Sequence, residues 1–255
     1  LFRLGSREWG SDDLRWLAES LRSRGVKPLV GVFAYTGETL VSYGIQGFTT
    51  ELLESRYGTA VRGRVIDFGA EGSRGAKLGD LVAEGVARVV AEDGFEGVYV
   101  MTELYRADRR VVDNPSVIAL LGAIRERIGN DAMLVFDGVD VFELDERMLD
   151  EALRYADLVV VRASPWFRSF RNLRVEAVGL QDVTEKVRAV YERYGEGKLA
   201  YAVYVEGFAE GWIVPAIQVQ AESDALGSVL GSCSVVFAGR YVPYRLSAPV
   251  QLSRS

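Results

Sequence analysis

Two glutamates draw attention by where they fall. Glu103 closes the apolar run EGVYVMTE (96–103), and Glu206 sits near the end of KLAYAVYVEG (198–207). A carboxylate ending a run that reads as buried needs partners or a function, because burying a lone charge is costly. Two such carboxylates facing each other about 5 Å apart can cleave a glycosidic bond with retention: one protonates the leaving oxygen while the other attacks the anomeric carbon. Other polar residues gather at the ends of similar runs. Asp67, Asp137, Arg162 and Tyr204 suit hydrogen bonds to sugar hydroxyls, and Arg240 shares that end. Trp9, Trp166 and Trp212, with Tyr35 and Tyr105, supply aromatic faces that stack on the C–H faces of sugar rings. Any one of these residues could instead cap a helix or pack a loop onto the rim. Three tryptophans expected in one layer favour a groove.

The elements that must position them follow one rhythm. Eight apolar runs of strand length occur at 2–5, 27–35, 63–69, 96–103, 132–138, 157–164, 198–207 and 233–239. Between them lie stretches with apolar residues at three-to-four spacing, including DDLRWLAESLRSRG, KLGDLVAEGVARVVAEDG, NPSVIALLGAIRERIGN and LDERMLDEALRYA. Asp12, Asn114 and Asp145 stand where helix N-caps are expected, and Gly25, Gly94, Gly129 and Gly195 follow the expected helix ends. Alternating strands and helices imply parallel pairing through right-handed crossovers. The expectation is α/β, a single (β/α)8 TIM barrel filling residues 1–255, whose chemistry would sit at the C-terminal ends of the strands. An open doubly wound sheet competes, but no early strand is followed by G-x-G-x-x-G.

Composition removes several classes of chemistry. The chain has no histidine, which excludes Ser-His-Asp and Cys-His mechanisms and nearly every catalytic zinc site. Cys233 is the only cysteine, so neither an internal disulfide nor a thiolate cluster can form. A net charge of −6 argues against general nucleic-acid binding. No run approaches the roughly 18 apolar residues of a membrane span. The expected partner is a carbohydrate substrate, with no cofactor, no metal, no nucleic acid and no membrane span; oligomeric state is open. Four lysines against 26 arginines, with few Asn, Gln, Cys and Met, lean towards a thermophile's protein. With no run of membrane-spanning length the chain reads as soluble, and because it opens on Leu1 rather than Met, export with removal of a leader stays open.

Two resemblances sharpen the reading. The placement of Glu103 and Glu206 on the fourth and seventh runs resembles the 4/7 superfamily of retaining barrel glycosidases, which implies Glu103 as acid/base and Glu206 as nucleophile. Thr102 stands where that superfamily usually has Asn, and its supporting histidine has no counterpart here. Locally, GFEGVYVMTE resembles the strand-four signature of family 18 chitinase-type hydrolases: Phe95, Gly97 and Glu103 fall in register, Glu96 replaces the first aspartate, and Tyr99 and Met101 occupy the places of the inner aspartates. The residues favour a glycoside hydrolase acting on β-linked sugars. Two alternatives stand beside it: a noncatalytic carbohydrate-binding or surface barrel, and a Mg2+-dependent barrel enzyme resembling the enolase superfamily, with Asp67, Glu103 and Asp137 ending three successive strands. The lysines offer little for Schiff-base chemistry, since Lys27 and Lys198 open their runs, at the end of the barrel away from the expected chemistry.

Overall fold

A computed structural model describes residues 2–4, 7–33, 67–72, 75–101, 116–141, 146–162, 180–195, 197–204, 224 and 235–238. In chain order the elements are β1 (Phe2–Leu4), β2 (Arg7–Trp9), α1 (Ser11–Arg22), β3 (Leu29–Phe33), α2 (Leu78–Asp93), β4 (Gly97–Met101), α3 (Ser116–Ile128), β5 (Met133–Asp140), α4 (Glu146–Tyr155), β6 (Leu158–Arg162), α5 (Leu180–Tyr194), β7 (Leu199–Tyr204) and β8 (Val235–Ala238). Among the described residues the main sheet has six strands, neighbours in the order β3-β4-β5-β6-β7-β8. The fold class is α/β, with the alternation and parallel pairing of a (β/α)8 barrel. The chain divides into two compact units, Leu1–Gly138 with Asp145–Val159, and Val139–Leu144 with Val160–Ser255.

The helices form where apolar side chains recur at helical spacing. Leu14 and Ala18 are buried on α1, Leu78 and Val82 on α2, Val117, Leu120, Leu121 and Ile124 on α3, and Met148, Leu149 and Ala152 on α4. On α5 the buried series is Val183, Val187 and Val190. Gly25, Gly94, Gly129 and Gly195 all take positive φ, between 69° and 76°, and so end helices in the left-handed conformation expected of them. The α1 cap differs from the sequence expectation. Gly10 is the N-cap, and the Asp13 carboxylate rather than Asp12 accepts the Gly10 N–H, at 3.1 Å. Asn114 and Asp145 lie outside the described residues.

In the first unit β3, β4 and β5 pair in parallel, with Leu29 opposite Gly97, Phe33 opposite Met101, and Met101 opposite Asp137. Val30, Val32, Val98, Val100, Leu134 and Phe136 are buried, and strand alternation puts all six on one face, against the helix layer. A Cβ on Gly97 would lie 2.0 Å from the Met133 carbonyl oxygen, so this glycine is required by the close approach of β4 and β5. In the second unit β7 and β8 pair in parallel, Tyr201 opposite Val235 and Tyr204 opposite Ala238.

Two of the eight expected runs behave differently. The run at 2–5 is no parallel strand: Phe2–Leu4 pairs antiparallel with Arg7–Trp9 as a separate two-stranded sheet, Phe2 opposite Trp9 and Arg3 opposite Glu8. Only two residues separate these strands, and so short a connection joins antiparallel partners only. The run at 63–69 does not supply a strand between β3 and β4, because those two pair directly. Of its described residues, Phe68 and Gly69 form a turn.

Candidate functional site

The face of the β3–β5 sheet turned away from the helices carries the polar residues. Alternation puts Gly31, Gly97, Tyr99, Met101, Val135 and Asp137 on it. In a (β/α)8 barrel this is the inner face, and side chains towards the strand C-termini line the mouth. Asp137 is fully buried here. A carboxylate in that setting costs several kcal/mol unless hydrogen bonds replace its water. The Tyr99 hydroxyl provides one, donating to Asp137 Oδ2 at 2.8 Å from the neighbouring strand. Tyr99 itself is half-buried, and the residue directly opposite it on β3 is Gly31, which has no side chain to cover the ring. The strand β5 runs on to Asp140, so Asp137 lies within it, not at its end as the sequence suggested.

Asp67 has a different environment. It is exposed, and its Oδ1 accepts the Gly69 N–H at 2.9 Å, closing a local turn through its own side chain. The turn is tied to two helix starts: Gly79 N–H donates to the Phe68 carbonyl at 2.8 Å, Leu78 N–H to the Ala70 carbonyl at 3.0 Å, and Phe68 N–H to Ser116 Oγ at 3.1 Å. Helices that return between parallel strands start at the strands' C-terminal end, so Asp67 lies at that end of the first unit. The Mg2+ reading needed Asp67 to end a strand beside β4, on the side away from β5, and β3 occupies that place. Among the described residues no group of three or more Asp, Glu, His or Cys side chains converges as a metal site.

Of the remaining expected site residues, Arg162 and Tyr204 are the last residues of β6 and β7, both at strand C-termini. Trp9 lies within β2 of the antiparallel pair rather than following a barrel strand. Glu103, Glu206, Tyr35, Tyr105, Trp166, Trp212 and Arg240 lie outside the described residues. Tyr99 was absent from the sequence-based site, although parity alone pointed to it: Gly97, Tyr99, Met101 and Glu103 alternate, so an inward Glu103 implies an inward Tyr99.

No family model and no curated protein sequence matches the chain. Solved structures do match in fold. The PgaB (BpsB) glycoside hydrolase domain from Bordetella bronchiseptica is 14% identical, with 88% of this chain and 74% of that domain covered at a TM-score of 0.54. The Bacillus subtilis protein ydhD, assigned as a sporulation-specific glycosylase, is 12% identical, with 86% and 67% covered at a TM-score of 0.50. The chain resembles barrel glycoside hydrolases in fold. No helix among the described residues is long and apolar enough to cross a membrane.

Proposed function

We propose that the protein is a glycoside hydrolase that cleaves β-linked sugars by a retaining, two-carboxylate mechanism. The observation that carries this reading is the buried Asp137 held by Tyr99 on the inner face of β4 and β5, in a fold shared with glycoside hydrolases. The functional role rests on the site, since one fold serves many activities. Glu103, two residues beyond Met101 in the sequence, would be the acid/base. Glu206 follows Tyr204 by two residues, three strands further along the chain, and is the nucleophile. Glu103 would protonate the departing glycosidic oxygen as Glu206 attacks the anomeric carbon. Water, deprotonated by Glu103, would then release the sugar from the glycosyl-enzyme ester with its starting configuration. Arg162, Tyr204, Tyr35, Tyr105 and Arg240 would bind hydroxyls, and Trp166 and Trp212 would stack on sugar rings. Asp67, at the same end but engaged in its own turn, would act at the rim.

The test is a panel of β-linked oligosaccharides and aryl β-glycosides, followed by reducing-end release and by proton NMR of the first product formed. Turnover with the β-anomer appearing first is expected. Glu103→Gln and Glu206→Gln should each lower kcat by ~100-fold or more on a natural leaving group, with unchanged circular dichroism. An α-anomer as first product, or either variant at wild-type rate, would overturn the mechanism. Sugar binding without turnover in the wild type would instead favour a noncatalytic carbohydrate-binding barrel.

A further inference from the structure

Ser116 reaches far across the chain. Its Oγ, at the start of α3, accepts the Phe68 N–H at 3.1 Å, a bond that spans 48 residues of sequence. The turn held by this bond has few other freedoms. Gly79 N–H donates to the Phe68 carbonyl and Leu78 N–H to the Ala70 carbonyl, Ala70 N–H closes on the Asp67 carbonyl at 3.2 Å, and the Phe68 ring is buried. Every backbone polar group of Phe68 and Ala70 is therefore engaged, and the turn is pinned to the starts of α2 and α3 together.

Asp67 stands exposed on this turn. Its Oδ1 accepts the Gly69 N–H, and a Cβ at position 69 would come within 3.2 Å of that oxygen, so the glycine leaves the carboxylate room to fold back on its own turn. Among the described residues this carboxylate makes no second hydrogen bond and no ion pair. Oδ2 is thus an acceptor whose direction is set before any ligand arrives, at the end of the first unit where a barrel keeps its site.

We propose that Asp67 is a specificity-determining contact, a preset acceptor for a sugar hydroxyl at the mouth of the cleft, and that Ser116 is the positioning residue that holds it there through Phe68. The proposal rests on the reading of this end of the sheet as a sugar site. A carboxylate offers acceptors alone and so pairs with a hydroxyl proton. A free surface carboxylate gives up rotamer freedom to make such a bond, whereas one already tied to the Gly69 N–H on a pinned turn has given up much of it on folding. A contact at the rim acts on the ground state and the transition state alike, and it therefore shows in KM and not in kcat.

The experiment measures kcat and KM of the full chain on the best β-linked oligosaccharide of the panel, with urea stability alongside. Asp67→Asn keeps an oxygen for the Gly69 N–H and replaces the second acceptor with a donor, so KM should rise ~3–10-fold, on the scale of one hydrogen bond, with kcat within about twofold of wild type. Ser116→Ala should raise KM in the same direction, and Ser116→Thr, which keeps the hydroxyl, should restore it. The double variant should show the KM of Asp67→Asn alone, because the serine acts through the aspartate. Asp67→Asn leaves the backbone bonds of the turn in place and keeps the inference falsifiable even if Ser116→Ala fails to fold. A wild-type KM in Asp67→Asn, or additive KM effects in the double variant, would overturn the inference while leaving the glycoside hydrolase intact. A loss of urea stability in Ser116→Ala with KM unchanged, the mark of a purely structural tie, would do the same. Turnover of no substrate by the wild type would overturn the proposed function together with it.

Discussion

Tyr201 shows how one atom can set a protein's response to pH. The ring is buried on β7, and its hydroxyl has no hydrogen-bond partner among the described residues. Burial holds the phenol well above the ordinary tyrosine value, and the nearby Tyr191 pushes in the same direction. The sign follows from proton counting. Above about pH 10 the unfolded chain loses this proton while the folded chain keeps it, so stability present at lower pH falls as pH rises. Tyr201→Phe should therefore flatten the alkaline decline in urea stability. It should also raise stability at neutral pH by roughly 0.5–1.5 kcal/mol, since an unmet buried hydroxyl is removed while the ring stays. A steeper alkaline decline or a loss at pH 7 would mean that the hydroxyl has a partner after all. Nothing in the sequence separates Tyr201 from Tyr99: both are tyrosines inside apolar strands, yet only Tyr99 meets a carboxylate on the next strand. That meeting depends on the β4–β5 register, which is set by pairing across 38 residues of chain.

The glycine of the GFEG turn makes the same point for elements. Gly97 invites a functional reading because it stands in a motif that ends on Glu103. In the fold it is where the β4 backbone presses against β5, with the Met133 carbonyl 2.0 Å from any added Cβ. Backbone cannot swing aside as a side-chain tip does, so Gly97→Ala should destabilise by more than about 3 kcal/mol or prevent folding. Gly25→Ala meets no atom within 4 Å and faces only its positive φ of 74°, so about 1 kcal/mol is expected. Comparing the two by urea denaturation separates packing from conformational strain; equal losses would contradict the close approach. Packing also explains Arg125, whose guanidinium pairs with Asp157 at 2.5 Å and donates to the carbonyls of Gly129, Ala132 and Tyr155. It joins the end of α3 to the starts of β5 and β6, a structural role that reads in sequence only as surface charge. The α1–α4 helices and the parallel β4, β5 and β7 were legible because their periodicity is local. The runs at 2–5 and 63–69 were not, because apolar content says that a segment is buried and not which strand lies beside it. Trp9 accordingly lies in an antiparallel pair and does not follow a strand of the parallel sheet.

For the whole molecule, the absence of histidine turns a pH profile into an assignment. Under the proposed retaining mechanism one carboxylate is ionised and the other protonated, so the rate should rise and then fall with pH. In most proteins a limb near neutrality invites imidazole as its cause. Here no imidazole exists, and a falling limb near neutrality points instead to a carboxyl group whose environment favours its protonated form. Asp137 lies opposite Met101, on the same face of the sheet as Tyr99. A bell-shaped kcat/KM profile is expected, with the alkaline limb assigned to Glu103. With an activated leaving group that needs no acid, Glu103→Gln should retain turnover but lose the alkaline limb, whereas Glu206→Gln should remove turnover at every pH. An alkaline limb that survives in Glu103→Gln would move the acid role elsewhere. Since histidine is absent and the lysines are few, the search would then turn to the other carboxylates, beginning with Asp137.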